Sequence, residues 1–452
     1  MQDQKTGAHG DLAEALLRAA KRAGADGADA MVASGTSQVI DVRGGVLEQA
    51  ERSEGLDVGL RVLVGRRQAN VSSSDARPET LDILAERAVA MAREAPEDPY
   101  AGLADPDQLA RNWDIAALDL SDPTPEPDPA ELQRRAASAE AAALAVDGVE
   151  QVQAATAGYQ AQHVWMAASN GFAADHTRTD WYVSCAAIAG TGAGMERDSD
   201  GDARIHDADL RSADEIGARA GRRAVERLGA RKPPTGAYPV LFDERISTSL
   251  IGHLLSAANG AAVARGATWL RDKLGEQVLP SGLSVLEDPH RPRVAGSRPY
   301  DGEGLPTHRR AIVEDGVLTG WILDLASARQ LGMASTGNAR RGVGGTPRPG
   351  TWNIALTQGD HSRDDLLSDM GTGLLVTSMI GSTINPNTGD YSRGASGFWV
   401  ENGEITYPVN ECTIAGNLHD MLMRLTPAND ARAYLSSVVP SLLVEGMTLA
   451  GN

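Results

Sequence analysis

Four prolines at alternate positions, Pro123, Pro125, Pro127 and Pro129 in the run SDPTPEPDPAE, block both a helix and a paired strand, because each ring fixes φ and removes an amide donor. With Pro96, Pro99 and Pro106 upstream, residues 95–130 read as a linker. A second break follows at Gly229 and Pro233-Pro234. Two interruptions in 452 residues predict three parts, each near the usual domain size of roughly 100 to 200 residues. We expect an N-terminal α+β domain over 1–115, a central α+β domain over 116–233 and a β-rich C-terminal domain over 234–452. The fold class is α+β, with helix-covered antiparallel sheets in the first half.

Local patterns fill in that outline. Leu12, Leu16, Leu17 and Ala20 have helical spacing and stop at Gly24. Strands are predicted at 28–33, 38–43 and 46–52, the last two joined by Gly44-Gly45, a pair suited to the positive φ angles of a tight hairpin. Leu56, Val58, Leu60, Val62 and Val64 recur with period two, which buries one face of a strand. Pro78 suits the first turn of a helix whose inner side carries Leu81, Leu84, Ala88, Val89 and Met91. Further helices are expected over about 130–146, after Ser212 with Ile216, Ala220, Ala224 and Leu228 inward, over 246–264 and over 364–370. Strands are expected at 149–156, 162–168 and 177–189.

Composition narrows function. Hydrophobic residues at 42% and charged residues at 23% mark a folding chain. A net charge of −19 repels phosphates, so nucleic acid is not an expected partner. No apolar stretch approaches the roughly 20 residues that span a bilayer, and the N-terminus lacks a secretory pattern, so we expect no membrane contact and a cytoplasmic location. Cys185 and Cys412, far apart and outside any CxxC spacing, fit a reducing compartment.

Several familiar chemistries fail on spacing. Asp198, Asp200 and Asp202 begin like a calcium loop, but Ala203 stands where that loop needs glycine, and a solvated turn is the expectation. The Gly342–Pro347 run lacks the third glycine of a dinucleotide loop and reads as a mobile loop. No GxSxG or P-loop pattern occurs. Cys412 and His419 have nothing to pair them, and Cys412 reads as a small core residue. No HExxH occurs among nine histidines; His253 alone has a helical setting, where a partly buried ring with satisfied nitrogens is expected.

Longer motifs carry a resemblance. GADGADAMV at 24–32, the run at 54–75, ARAGRRAVERLGARKPPTGAYPVLFD at 218–243, Ser335–Arg340 and above all GSTINPNTGDYSRGASGFWVENGEITYPVNECTIAGNL at 381–418 resemble the TldD/PmbA family, formerly called modulators of DNA gyrase, along the whole chain. In the TldD branch that resemblance implies HExxxH on a helix, with a glutamate serving a zinc-bound water and a C-terminal cysteine as third ligand. The comparable stretch here is Thr248-Ser249-Leu250-Ile251-Gly252-His253, which matches only the second histidine, and 433–438 contains no cysteine. No metal site is expected in this chain, and three-ligand zinc is assigned to a TldD-type partner instead.

The resemblance thus implies the PmbA/TldE branch: a non-catalytic subunit of a heterodimeric zinc metallopeptidase that shapes a peptide-binding chamber for proteolysis or peptide maturation. Family members are linked to maturing a peptide microcin and degrading an antitoxin. Expected partners are a TldD-type catalytic subunit, unfolded or extended peptides and, when alone, a second copy. No catalytic residue is assigned; Thr248, Ser249 and His253 are the degraded-motif positions. Peptide-lining candidates are Asn385, Asn387, Gly389, Ser392, Gly394, Ser396 and Gly397, where an extended peptide is expected to add to a strand edge. The alternatives are an independent homodimeric peptidase and a gyrase-modulating binding protein without hydrolytic activity.

Overall fold

The structure is a computed structural model that describes residues 2–451. Its first half contains, in chain order, α1 (Gln2–Ala23), β1 (Gly27–Arg43), β2 (Val46–Val64), β3 (Arg67–Ser73), α2 (Pro78–Glu94), α3 (Pro129–Leu144), β4 (Val149–Ala168), β5 (Ala173–Ala189), β6 (Glu196–Arg204) and α4 (Ala213–Glu226). The six strands make one antiparallel half-barrel in the order β3-β2-β1-β4-β5-β6. Gly44 and Gly45, at φ 62° and 75°, close the β1–β2 hairpin as their sequence requires. Several strands expected as separate pieces are continuous. Gly158 does not interrupt β4, because the Tyr182 ring lies where a side chain at 158 would project.

Helices cover one face in two groups. Ala13, Leu16 and Ala20 of α1 and Leu81, Leu84, Ala88 and Val89 of α2 pack on β1 and β2, whereas Met91 points to solvent at 47% exposure. Beside them, Leu132, Ala136, Ala139 and Ala143 of α3 and Ile216, Ala220 and Ala224 of α4 cover β4 and β5. The α3–α4 contact is close because Gly217 faces the Ala139 carbonyl, where any Cβ would collide. Ser212 caps α4 by accepting from the Glu215 amide, as its spacing predicts.

The period-two pattern in β2 predicts a single buried face, yet Gly59, Arg61 and Leu63 are buried as well as Val58, Leu60 and Val62. Their face of the half-barrel is covered by the C-terminal part. Asp29 receives ion pairs from Arg61, at 2.6 Å, and from Arg341, all three side chains being buried. Burial opposes ionisation of Asp29, but the two guanidinium groups outweigh it and hold its pKa below the ordinary value. Gly59 admits the Val343 backbone, so the 342–347 loop, expected to be mobile, is seated against the sheet. The proline-rich connection is also packed: Ala104, Leu118 and Leu120 are buried, and Arg329 donates to the carbonyls of Tyr100 and Leu103. It runs from α2 to α3, and on either side of it in the chain β1 and β4 pair along Asp29↔Ala168 to Val42↔Ala155, so one sheet runs across the expected 115/116 boundary.

The C-terminal part continues with β7 (Gly236–Phe242), α5 (Glu244–Ala257), α6 (Gly260–Ala264), β8 (Val285–Glu287), β9 (Arg310–Glu314), β10 (Val317–Leu318), α7 (Leu325–Leu331), β11 (Ala339–Arg340), β12 (Arg348–Pro349), β13 (Ile354–Leu356), α8 (Arg363–Met370), β14 (Gly373–Ile384), β15 (Asp390–Glu401), β16 (Glu404–Asn417), α9 (Leu418–Met423), β17 (Leu425–Pro427), β18 (Ser437–Val438) and β19 (Leu442–Ala450). The order β16-β15-β14-β7-β19-β17, with an added β16–β19 pairing, closes a barrel. Its core includes Val240, Phe242, Leu250, Leu254, Trp399 and Leu442. The helix expected over 246–264 is two, because the backbone turns at Asn259, whose side chain caps α6. No helix among the described residues is long and apolar enough to cross a membrane.

Candidate functional site

Helix α5 carries the three degraded-motif positions. Asp243 starts it by accepting from the Arg245 amide, and Leu250, Ile251, Leu254 and Leu255 anchor its buried side. Ser249 and His253, four residues apart, share one face, while Thr248 turns elsewhere. Ser249 Oγ donates to the Ile246 carbonyl. His253 meets the Tyr391 ring edge-on at 5.9 Å between centroids. Contrary to the expected satisfied ring, its buried Nε2 has no hydrogen-bond partner. Burial, then the charge of Arg393, lowers its pKa, so the imidazole is neutral near pH 7.

Thr248 opens into a cleft of about 480 Å³ between the half-barrel and the C-terminal part. Leu435, Ser436 and Ser437, from the segment compared with the cysteine ligand, line the same cleft. The helix position and that segment are therefore brought together. Five arginines stand around them, Arg178, Arg204, Arg245, Arg293 and Arg432, each paired with a carboxylate, of which Asp180 and Glu244 also line the cleft. Arg204 lies over the Tyr434 ring at 3.3 Å. Arg432 bonds Glu244 at 2.7 Å; burial raises the Glu244 pKa, and Arg432 opposes that rise.

Arg245 ties this wall to the half-barrel through Asp198 of β6, at 3.1 Å, and also bonds the α5 cap Asp243, at 3.0 Å. Burial pulls the Arg245 pKa down, but those two carboxylates more than offset it. The DSDGD run is thus not the expected solvated turn. It is strand β6, with Asp200 bound to Arg211 and Arg223 and Asp202 to Arg204. Arg227 continues the seam, pairing with Asp198 and donating to Ser396 Oγ at 2.8 Å. Arginines at 219, 222, 223 and 227 recur at helical spacing along α4, a repeat the sequence reading did not single out.

The peptide-lining candidates separate into two places. Asn385, Asn387 and Gly389 form the exposed β14–β15 turn, where Asn385 accepts from the amides of Asn387 and Gly389 and Trp269 donates to the Pro386 carbonyl. Gly389 has φ 79°, which only glycine adopts freely. Ser392, Gly394, Ser396 and Gly397 lie inside β15, paired with β14 on one side and β16 on the other. That stretch has no free edge for an added strand. Gly397 is required for another reason: a Cβ would sit 1.9 Å from the Leu375 carbonyl oxygen. Cys412 is buried, donates to the Ala395 carbonyl and has its thiol pushed up to about 11 by burial, while His419 is partly exposed beside Asp420. The two form no nucleophile–base pair.

Sequence and fold comparisons agree over the whole chain. Residues 28–92, 122–228 and 235–451 match the PmbA/TldA metallopeptidase domain 1, central domain and C-terminal domain. A relative named metalloprotease PmbA, from Escherichia coli O157:H7, is 39% identical over 430 residues, covering 94% of this chain and 92% of its own. The chain belongs to the PmbA/TldD metallopeptidase family. A solved putative modulator of DNA gyrase from Bacteroides thetaiotaomicron matches this family fold with TM-score 0.90 at 26% identity, covering 98% of both chains. TldE from Thermococcus kodakarensis matches with TM-score 0.84 at 22% identity, over 97% of this chain and all of that one, a likeness of fold.

The family name implies a metal, which the residues present do not fit. His253 Nε2 is a buried, unpartnered nitrogen of the right kind, but the neighbouring motif positions hold Thr248 and Ser249, whose hydroxyls are poor zinc ligands, and 433–438 contains no thiol. No group of three or more His, Cys, Asp or Glu side chains among the described residues is arranged to hold a metal ion. The carboxylates at the cleft, Asp180 and Glu244, are taken up in ion pairs with Arg178 and Arg432 and are not free to serve as ligands.

Proposed function

We propose that this chain is the non-catalytic, PmbA/TldE-type subunit of a heterodimeric metallopeptidase, completing a peptide-binding chamber beside a TldD-type subunit that holds the zinc. The observation that supports this reading is the makeup of the α5 cleft: Thr248 and 435–437, which the resemblance compares with metal ligands, meet there as hydroxyl and apolar side chains beside arginines, while His253 lies on another face of α5 against Tyr391. A hydrolytic zinc site needs three fixed ligands and an open position, and one imidazole cannot supply it. The contribution left to this subunit is positioning, water exclusion and selection of extended peptides. Asn385 and Asn387 remain candidates for contacting peptide from the exposed turn; Ser392, Gly394, Ser396 and Gly397 act through the shape of the barrel wall.

The test is metal content and hydrolysis of an unfolded polypeptide by the purified chain, alone and after mixing with the organism's TldD-type protein. The reading predicts substoichiometric zinc and no cleavage alone, with cleavage on mixing. Stoichiometric zinc together with cleavage by the chain alone would favour an independent homodimeric peptidase, and stable binding to gyrase with no cleavage in either sample would favour a binding protein.

A further inference from the structure

Beyond Arg245 and Arg432 the α5 cleft joins a larger one of about 950 Å³, walled by α4, the starts of α5 and α8, and strands β14 to β16. Its charge is unusual for a chain of net −19: six arginines line it against five carboxylates. Most of those carboxylates are engaged. Asp243 pairs with Arg245 and Arg363, Glu244 with Arg432, and Asp430 accepts from the Ser441 amide and hydroxyl. Arg219 and Arg222, one helical turn apart on α4, form no ion pair among the described residues. Glu226, exposed one turn further, is the remaining acid on that wall. Burial and then the neighbouring Arg245 lower the Arg223 pKa, a cost that a bound anion would relieve.

A second, independent feature points into the same space. Thr377 is 6% exposed, lines the cleft and has a buried hydroxyl with no hydrogen-bond partner. It sits at the bulge of β14, where the register with β15 slips between Val376 and Ser378, and such bulges re-aim side chains at sites. A buried unpaired hydroxyl keeps its desolvation cost, so a ligand that supplies a partner gains binding there. The neighbouring floor is apolar, formed by Phe398, Ile405 and Pro408.

We propose that this cleft binds an acidic segment of an extended peptide, with side-chain carboxylates on Arg219 and Arg222, a backbone group on Thr377 and an apolar side chain on the floor. The proposal rests on the peptide-handling reading and names its substrate class. The volume lies near the top of the about 300–1,000 Å³ typical of small-molecule pockets, and the apolar floor suits a peptide better than an inorganic anion.

The experiment measures fluorescence anisotropy of two labelled peptides with the full chain at low salt: one carrying Glu and Leu, the other identical with Gln for Glu. The Glu peptide is expected to bind about tenfold more tightly, a preference that falls with ionic strength. Arg219→Gln with Arg222→Gln should abolish the preference, the exposed Arg222→Gln alone should reduce it, and Thr377→Val should weaken both peptides alike. Equal binding of the two peptides, a preference unchanged in the double variant, or a preference lost to inorganic pyrophosphate at equal concentration but not to unlabelled Glu peptide would overturn the proposal. Binding here needs no partner subunit. Loss of the preference with hydrolysis by the mixture intact therefore sinks the acidic class alone, whereas a preference with no hydrolysis sinks the subunit reading alone.

Discussion

His253 keeps a metal-binding atom without the company that would make it a site. Its Nε2 is buried and unpartnered, but the nearest aromatic neighbour is Tyr391 and the first charge acting on it is the cation Arg393. Restoring the two missing motif residues alone should therefore not restore zinc. Thr248→His with Ser249→Glu is predicted to remain substoichiometric in zinc by metal analysis, because a third ligand is still missing and Arg204, Arg245 and Arg432 surround the cleft. A full equivalent of bound zinc would contradict this. The absence of the motif is plain in the sequence, as is the inertness of Cys412. The orphaned nitrogen and the arginine lining are not, since a spacing of residues says nothing about which side chains arrive from β5, β6 and 430–437.

At the scale of elements, the half-barrel and the C-terminal part are joined by buried charge as well as apolar contact. Asp29 on β1 holds Arg61 on β2 and Arg341 ahead of β12. Asp29→Ala would leave two buried guanidinium groups without their acceptor and should destabilise the chain by about 3–5 kcal/mol in urea unfolding. A loss below about 1 kcal/mol would mean the arginines find other acceptors or water. Helices α2, α3 and α4 and the β1–β2 hairpin were legible because caps, Pro78, Gly44-Gly45 and helical spacing act locally. The DSDGD strand, the break at Asn259 and the burial of both faces of β2 were not. Each depends on partners that spacing does not reveal: Arg211, Arg223 and Arg245 for the aspartates, Ile322 and the Pro349 carbonyl for Asn259, and Val343 and Arg341 for β2.

The whole molecule places a second set of acids at this junction. Burial, then the charge of Asp301, raises the Glu303 pKa above its ordinary 4.5, with Arg61 opposing and Asp324 adding to the rise. A carboxyl with a raised folded pKa binds its proton more tightly in the native state, so stability declines as pH climbs from the ordinary value through the raised one. Glu303→Gln keeps an acceptor for the Leu325 amide and removes the titration. It should flatten the decline in thermal stability between about pH 5 and 8; an unchanged slope would assign the decline to other groups. The central claim, however, concerns which chain performs the chemistry. In the reconstituted pair, we would measure peptide hydrolysis after His253→Ala in this chain and, separately, after replacing the glutamate of the partner's HExxxH by glutamine. The account predicts that the first change leaves the rate of cleavage largely intact and the second abolishes it; loss of activity on His253→Ala in a still-folded pair, with activity surviving the partner change, would contradict it.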